Sequence, residues 1–429
     1  MSAYAATATT ASAISGARPR LIGSGVRRLA LVFVWITIAS SAIVVSDPAP
    51  YDALMVAVAL LLPVVGLAQF NRGISLYLLL WVAILSGGLL ATTQAVALDV
   101  PASHMGITVY LALSSVVLAA FVAHNPEGHV RLIMSAYMAS ALIAATAALI
   151  GYFSLVPGAY DLFTEYGRGR GTFKDPNVLG AFLVPALLYA FNLVITGRFG
   201  KASLAMIAMP MLLFGSLLTF SRGAWINLAV SLALYAYFTF GTAASHRQRL
   251  KLIIALVLAG VLGVGVLAAA QSIPKVADLM GERASFEQSY DTGPEGRFGG
   301  QQKAGGLIVT HPLGIGALEF RERYHHEDVH EVYLSMFLNA GWVGGTLYLA
   351  VVLLTIGLGL RQVVRDRGGD GISAVLVAAF IGMALEGLVI DSDHWRHFYL
   401  VMAMIWGMAL AGTLPTPATW HGRHQSVIG

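Results

Sequence analysis

No cysteine occurs anywhere in the 429 residues. Disulfides and cysteine–metal sites are therefore excluded. Charge is scarce too: Asp, Glu, Lys and Arg together make up 11% of the chain, where a soluble domain carries about 25%. There is no GxxxxGK[ST] loop, so a phosphate cradle of that type is absent. Neither a bound cofactor nor a nucleic-acid partner is expected from this composition.

What the chain has instead is apolar length. It is 57% hydrophobic, and a spanning helix needs about 20 largely apolar residues. Twelve stretches qualify: 29–46, 52–70, 74–93, 106–123, 132–153, 177–196, 202–220, 224–241, 252–270, 333–359, 372–390 and 399–414. The tenth is interrupted by "NAGWVGG" and the twelfth is short. Residues 1–27 are Ala/Ser/Thr-rich and read as a disordered tail, without the cleavage pattern of a signal peptide. The fold class expected is an all-α polytopic membrane protein with about 12 transmembrane helices and one large outer loop, 271–332. A first block of helices covers 28–153, a second region 154–414, and a short tail 415–429.

Loop charge sets the orientation. With the N-terminus inside, the inner segments hold 15 of the 26 Lys and Arg against three acids (Glu127, Asp366, Asp370), a balance of +12. Cytoplasmic loops are the ones enriched in Lys and Arg, so both termini are expected inside. The tails carry Arg18, Arg20 and Arg423, and Arg198 belongs to the same inner set.

The other basic residues face outward, six of them in loop 271–332 beside ten acids that include Glu287, Asp291 and Glu295. "RGRGTFKDPNVLG", residues 168–180, places Arg168, Arg170 and Lys174 within seven positions. Asp175 and Pro176 suit a helix start there. In "FSRGAW", Ser221 suits a cap with Arg222 in the first turn. In "DVHEVYL", His330 stands at a third helix start. Helix N-termini favour anions, and the guanidinium fork matches phosphate oxygens. The pattern points to an outward-facing site for a phosphate-bearing ligand. The plainer alternative is that such residues, Lys174 above all, meet lipid headgroups, and that much of the long loop is solvated surface.

Histidines gather in the same region. "YHHEDVHEVY" contains His325, His326 and His330, and "DSDHWRHF" contains His394 and His397. His326 and His330 are four apart and could share a helix face with a metal, but no third ligand stands at a recognisable spacing, so no metal site is expected. His330 alone suits a proton acceptor; its plainer role would be to cap its helix. Glu386, inside the eleventh stretch, is a functional candidate as an intramembrane acid or a partner for a nearby arginine.

"RGTFKDPNVLG", "SRGAW" and "HPLGIGALEF…HEVYLSMFLNAGWVGG", in this order and on one side, resemble the O-antigen ligase and O-antigen polymerase superfamily, over roughly residues 165–360. The resemblance implies a multi-pass glycosyltransferase of the bacterial inner membrane, with its large loop and active site in the periplasm. The implied donor is a glycan on a polyprenyl diphosphate (undecaprenyl diphosphate in bacteria). The implied acceptor is a sugar hydroxyl on another glycan or on lipid A core, in O-antigen, exopolysaccharide or other surface polysaccharide assembly. Residues 154–414 would be the catalytic region. Arg170, Arg222, Arg168 and Arg297 would bind the diphosphate, without a metal. His330 would be the base or would orient the acceptor. This chain has Glu331 where many members have Asn, so either His330 or Glu331 could take the proton. Ligase and polymerase stay open, as do the sugars. A small-anion, bicarbonate-like transporter is the alternative of a different class; the middles of the spans, nearly free of charge, argue against it.

Overall fold

The computed structural model describes residues 23–44, 48–197, 199–284, 293 and 296–411. Most of the expected tail 1–27, the tail 415–429, and Arg198, Glu287, Asp291 and Glu295 lie outside the described residues. What is described is almost wholly helical: α1 (Ser24–Ala39), α2 (Pro50–Val64), α3 (Arg72–Thr92), α4 (Asp99–His124), α5 (Pro126–Tyr152), α6 (Ala159–Phe163), α7 (Pro176–Thr196), α8 (Phe199–Leu217), α9 (Arg222–Thr242), α10 (His246–Gln271), α11 (Pro274–Ala284), α12 (Arg297–Thr310), α13 (Glu319–Arg323), α14 (Val332–Arg365), α15 (Ile372–Glu386) and α16 (Arg396–Leu410). A two-residue hairpin, β1 (Thr164–Glu165) and β2 (Arg168–Gly169), is the sheet.

Each of the twelve apolar stretches falls on one helix. Among the described residues, nine helices are long and apolar enough to cross a membrane. The other three, α2, α15 and α16, are shorter apolar helices. At 15 residues and 1.5 Å per residue, each is roughly 22 Å long, short of a hydrocarbon core of about 30 Å. Expected stretch 52–70 overran its helix, which ends at Val64.

Local chemistry sets the helix starts. Asn71, Asn125, Asp175, Ser221 and Ser245 each accept a backbone N–H of the first turn, which satisfies donors that would otherwise be orphaned. The helix ends sort into two groups. At one end of the bundle, Arg131 binds Asp370 at 2.9 Å, Asn71 donates to Leu410 O, and Asn192 donates to Asp370 O. At the other, Arg396 binds Asp52, His104 meets Asp393, and Val44 N donates to Thr172 O. The core between them is aromatic. Tyr77 stacks on Trp406 with centroids 4.3 Å apart, and Trp406 donates to Thr355 Oγ1 at 2.8 Å. By contrast α10 exposes Val257, Leu258, Val261 and Val264 outward, as a lipid-facing helix would.

The "NAGWVGG" interruption is a break within α14. Gly341 adopts φ 68° and ψ −175°, and a Cβ there would lie 2.7 Å from Pro312 O. Only glycine tolerates both demands. The "HPLGIG" turn docks into this break: Trp342 N donates to Pro312 O and Ile315 N to Leu338 O. The stretch 271–332, expected as a long loop, instead contains three helices, α11, α12 and α13.

Candidate active site

The hairpin before α7 turns at Tyr166 and Gly167, both at positive φ (49° and 75°), the geometry of a tight two-residue β-turn. The two arginines have different partners. Arg168 donates to Thr219 O and to Asn177 Oδ1, both at 2.7 Å. This side chain ties the hairpin to the starts of α7 and α9. Arg170 reaches Glu165 at 3.9 Å, and its buried Nε has no hydrogen-bond partner among the described residues.

The caps of α7 and α9 fall where the sequence placed them. Asp175 accepts from Asn177 N at 2.6 Å, and Ser221 from Ala224 N at 3.3 Å. The two helix starts touch closely: a Cβ on Gly180 would sit 2.5 Å from Ala224 Cβ. Arg222 is the first residue of α9. Glu386, at the end of α15, accepts a hydrogen bond from Asn227 at 2.7 Å. It packs so closely that a Cβ on Gly223 would lie 2.9 Å from its Oε1.

The third helix start corrects the sequence reading. The cap of α14 is Glu331, which accepts from Tyr333 N at 3.3 Å and Leu334 N at 2.8 Å. His330 lies one residue outside the helix at φ 53°, a conformation a non-glycine residue seldom holds without surrounding support. That support is visible. Its N–H donates to Asp391 Oδ2 at 2.9 Å. Its ring nitrogens stand 3.8 Å from Asp391 Oδ2 and 3.8 Å from Glu327 Oε2. Next door, Val332 N donates to Gly387 O, closing α14 onto α15. Burial lowers the His330 pKa and Arg297 lowers it further, outweighing Glu327 and Asp328. The imidazole is therefore neutral at pH 7 and can accept a proton. Burial raises Glu331, against the pull of its two backbone hydrogen bonds.

Asp391 was not singled out in the sequence, although it opens the quoted "DSDHWRHF". It accepts from Ser335 Oγ at 2.5 Å as well as from His330 N. Burial and neighbouring Asp393 push its pKa up to about 7. An acid just beyond an apolar stretch was the available signal; its pairing with His330, 61 residues away, was not legible.

α12 covers this loop. Arg297 begins it, Gly300 lies against the His325 ring, and Gln301 Nε2 points to His330 O at 3.5 Å. His326 and His330 share no helix face, because 324–331 is not helical. Among the described residues the one three-ligand grouping is elsewhere: His104, Asp393 and His394 offer atoms within 4.8 Å of one another. Asp393 lies 3.0 Å from His104 Nε2, and His394 Nε2 is 3.0 Å from Thr108 Oγ1. The trio thus satisfies itself, joining α4 to the α15–α16 connection, and it also fits a divalent metal.

Thus the starts of α7, α9 and α14, the end of α15 and the hairpin converge on one end of the bundle. Arg168 is bound into the scaffold, and Arg297 acts on His330 through its charge. No curated protein matches the chain. The O-antigen ligase family model matches residues 207–349, which contain Arg222, Arg297, His330 and Glu331 but end before Asp391. This match covers 143 of the 429 residues, so over that segment the chain is similar to the O-antigen ligase family.

Proposed function

We propose that this protein transfers or polymerises a glycan from a polyprenyl-diphosphate carrier onto a sugar hydroxyl at the periplasmic face of a bacterial inner membrane. In this reading all twelve apolar helices cross the membrane, N-in and C-in, and the short ones are accommodated by local thinning of the bilayer. The basic inner loops support that sidedness. The hairpin and the starts of α7, α9 and α14 then face the pool of exported lipid-linked glycan.

The observation that carries the proposal is His330. It is neutral, held at positive φ by Asp391, and stands among helix N-termini and arginines. The acceptor hydroxyl gives its proton to His330 as its oxygen bonds the anomeric carbon. Asp391 and Glu327 stabilise the imidazolium that forms. The anomeric carbon–oxygen bond to the diphosphate breaks with its electron pair leaving on the diphosphate. Arg170 and Arg222, with the N–H groups at the start of α9, stabilise that growing negative charge. Arg297 adds to the same field and keeps His330 neutral. Arg168 is a positioning residue, because its donors hold the hairpin. Glu331 is committed to its cap and orients α14. None of these steps requires a metal. The superfamily match favours transfer over small-anion transport.

The test is complementation of a deletion strain. At equal membrane levels, His330→Ala and Arg222→Ala should restore no surface glycan. Full glycan from either would sink the assignment. The strain itself separates polymerase from ligase by accumulating short units or uncapped core.

A further inference from the structure

Beside Asp391 a cavity of about 270 Å³ runs between the segment after α1 and helices α2, α5, α7 and α16. Asp391, which holds His330, lines this cavity, while His330 itself does not. Its walls carry Tyr51, Tyr137, Phe173 and Trp395, and its polar groups include Lys174, Asp391 and His397. His397 is 3% exposed, yet its Nε2 has no hydrogen-bond partner among the described residues. A native structure seldom leaves a buried nitrogen unserved, and one that is deserves an explanation. The ring is held firmly, stacked on Trp395 with centroids 5.2 Å apart and edge-on to Phe182 at 5.6 Å.

The cavity's charge chooses the ligand class. Arg396 also lines it, but its guanidinium is spent on Asp52 through two hydrogen bonds of 2.7 and 2.6 Å. Lys174 shares the lining with the acids Asp175 and Asp391, so the cavity is not a cluster of positive charge of the kind that calls for a phosphate. Aromatic faces around a few hydrogen-bonding groups suit a neutral hydroxylated ring. The volume is slightly below the roughly 300–1,000 Å³ of pockets for drug-sized ligands, which suits one ring rather than a chain of them.

We propose that this cavity is a subsite for a single pyranose ring of the glycan substrate, with a sugar hydroxyl bonded to His397 Nε2 and the ring packed on the aromatic wall. The identification of the ligand as a sugar of the substrate rests on the transferase reading above. Asp391 is the link: it lines the cavity and holds His330, so a ring seated here is in register with the proposed base. That favours the acceptor sugar over the donor sugar.

The experiment separates the subsite from the reaction. Methyl glycosides of several hexoses are offered to the detergent-solubilised full chain, and binding is read by saturation-transfer NMR, with cyclohexylmethanol as the control lacking ring hydroxyls. At least one glycoside should bind saturably while the control does not. Val178→Phe and Val44→Phe, which fill the cavity from different walls, should abolish that signal. His397→Ala should weaken it at least tenfold, with partial recovery in His397→Gln. Thermal unfolding checks that each variant is folded. A cavity that holds only water, room for roughly nine molecules at about 30 Å³ each, would give no saturable glycoside, or a signal indifferent to both filling variants; either overturns the proposal. Kinetics name the source: a filling variant raises KM for the acceptor if the acceptor sugar sits here, and for the lipid-linked donor if the donor sugar does. Glycoside binding without any glycan transfer would leave the subsite standing and bring down the transferase reading instead. Transfer with no glycoside binding and unchanged KM values would do the reverse.

Discussion

Glu331→Gln separates two adjacent residues that the sequence could not rank. The Glu331 carboxylate accepts two backbone N–H groups at the start of α14. A glutamine carbonyl can keep one of them. The change therefore removes one charge-assisted cap bond, about 1 kcal/mol. Against a native stability of roughly 5–15 kcal/mol the protein stays folded. If the whole loss were felt in the barrier, the rate would fall about fivefold. His330→Ala removes a general base, an effect typically of about 10²–10⁴. The assay is the initial rate of transfer by purified variants at equal concentration, with donor binding measured separately. His330→Ala should bind donor normally and transfer nothing measurable, while Glu331→Gln stays within about fivefold of wild type. A hundredfold fall in Glu331→Gln at unchanged melting temperature, with His330→Ala active, would refute the reasoning and make the glutamate the base.

Other outcomes follow from the same geometry. Arg222→Lys should fail almost as badly as Arg222→Ala, because lysine keeps the charge without the fork; one such contact is worth roughly 2.7–4 kcal/mol of barrier, and a lysine variant near wild-type rate would count against the diphosphate role. His330 must be neutral to act and its pKa is lowered, so activity should hold until the pH falls below the usual histidine value of about 6.5. Arg297→Gln removes a positive neighbour and should move that acid limb to higher pH; a limb that stays put would break the link. Transfer should continue in excess EDTA at close to its normal rate, and a loss restored by one divalent ion would shift attention to His104, Asp393 and His394. A reporter fused after Asp291 should be active only in the periplasm and one after Arg249 only in the cytoplasm; the reverse would turn the site away from its donor.

Much of the architecture was legible because lipid-spanning helices must be long and apolar. The starts of α7 and α9 were legible because Asp175, Pro176 and Ser221 are local cap chemistry. The cap of α14 was not identified, since His330 was placed at the helix start with capping only as its plainer role. His330 and Glu331 both suit a helix start, and only the backbone geometry, φ 53° at His330, separates them. The helices of 271–332 were hidden because charges and glycines interrupt them, so no apolar run announced them. The deepest gap is Asp391. Its meeting with His330 depends on α15 closing onto α14 at Val332 and Gly387, a contact that no spacing along the chain encodes. Arg168 was grouped with Arg170 by proximity in sequence, yet β2 ends at Gly169, so Arg170 lies beyond the strand and the two side chains follow different backbone geometry.

The central claim is tested most directly by reconstitution. The purified protein is placed in vesicles containing a polyprenyl-diphosphate-linked glycan and supplied with an acceptor glycan; released lipid diphosphate and new glycosidic linkages are then counted by mass spectrometry. The account predicts the two products in equal amounts with the wild-type chain, and neither with His330→Ala. Vesicles that form no new linkage but accumulate labelled bicarbonate would contradict it.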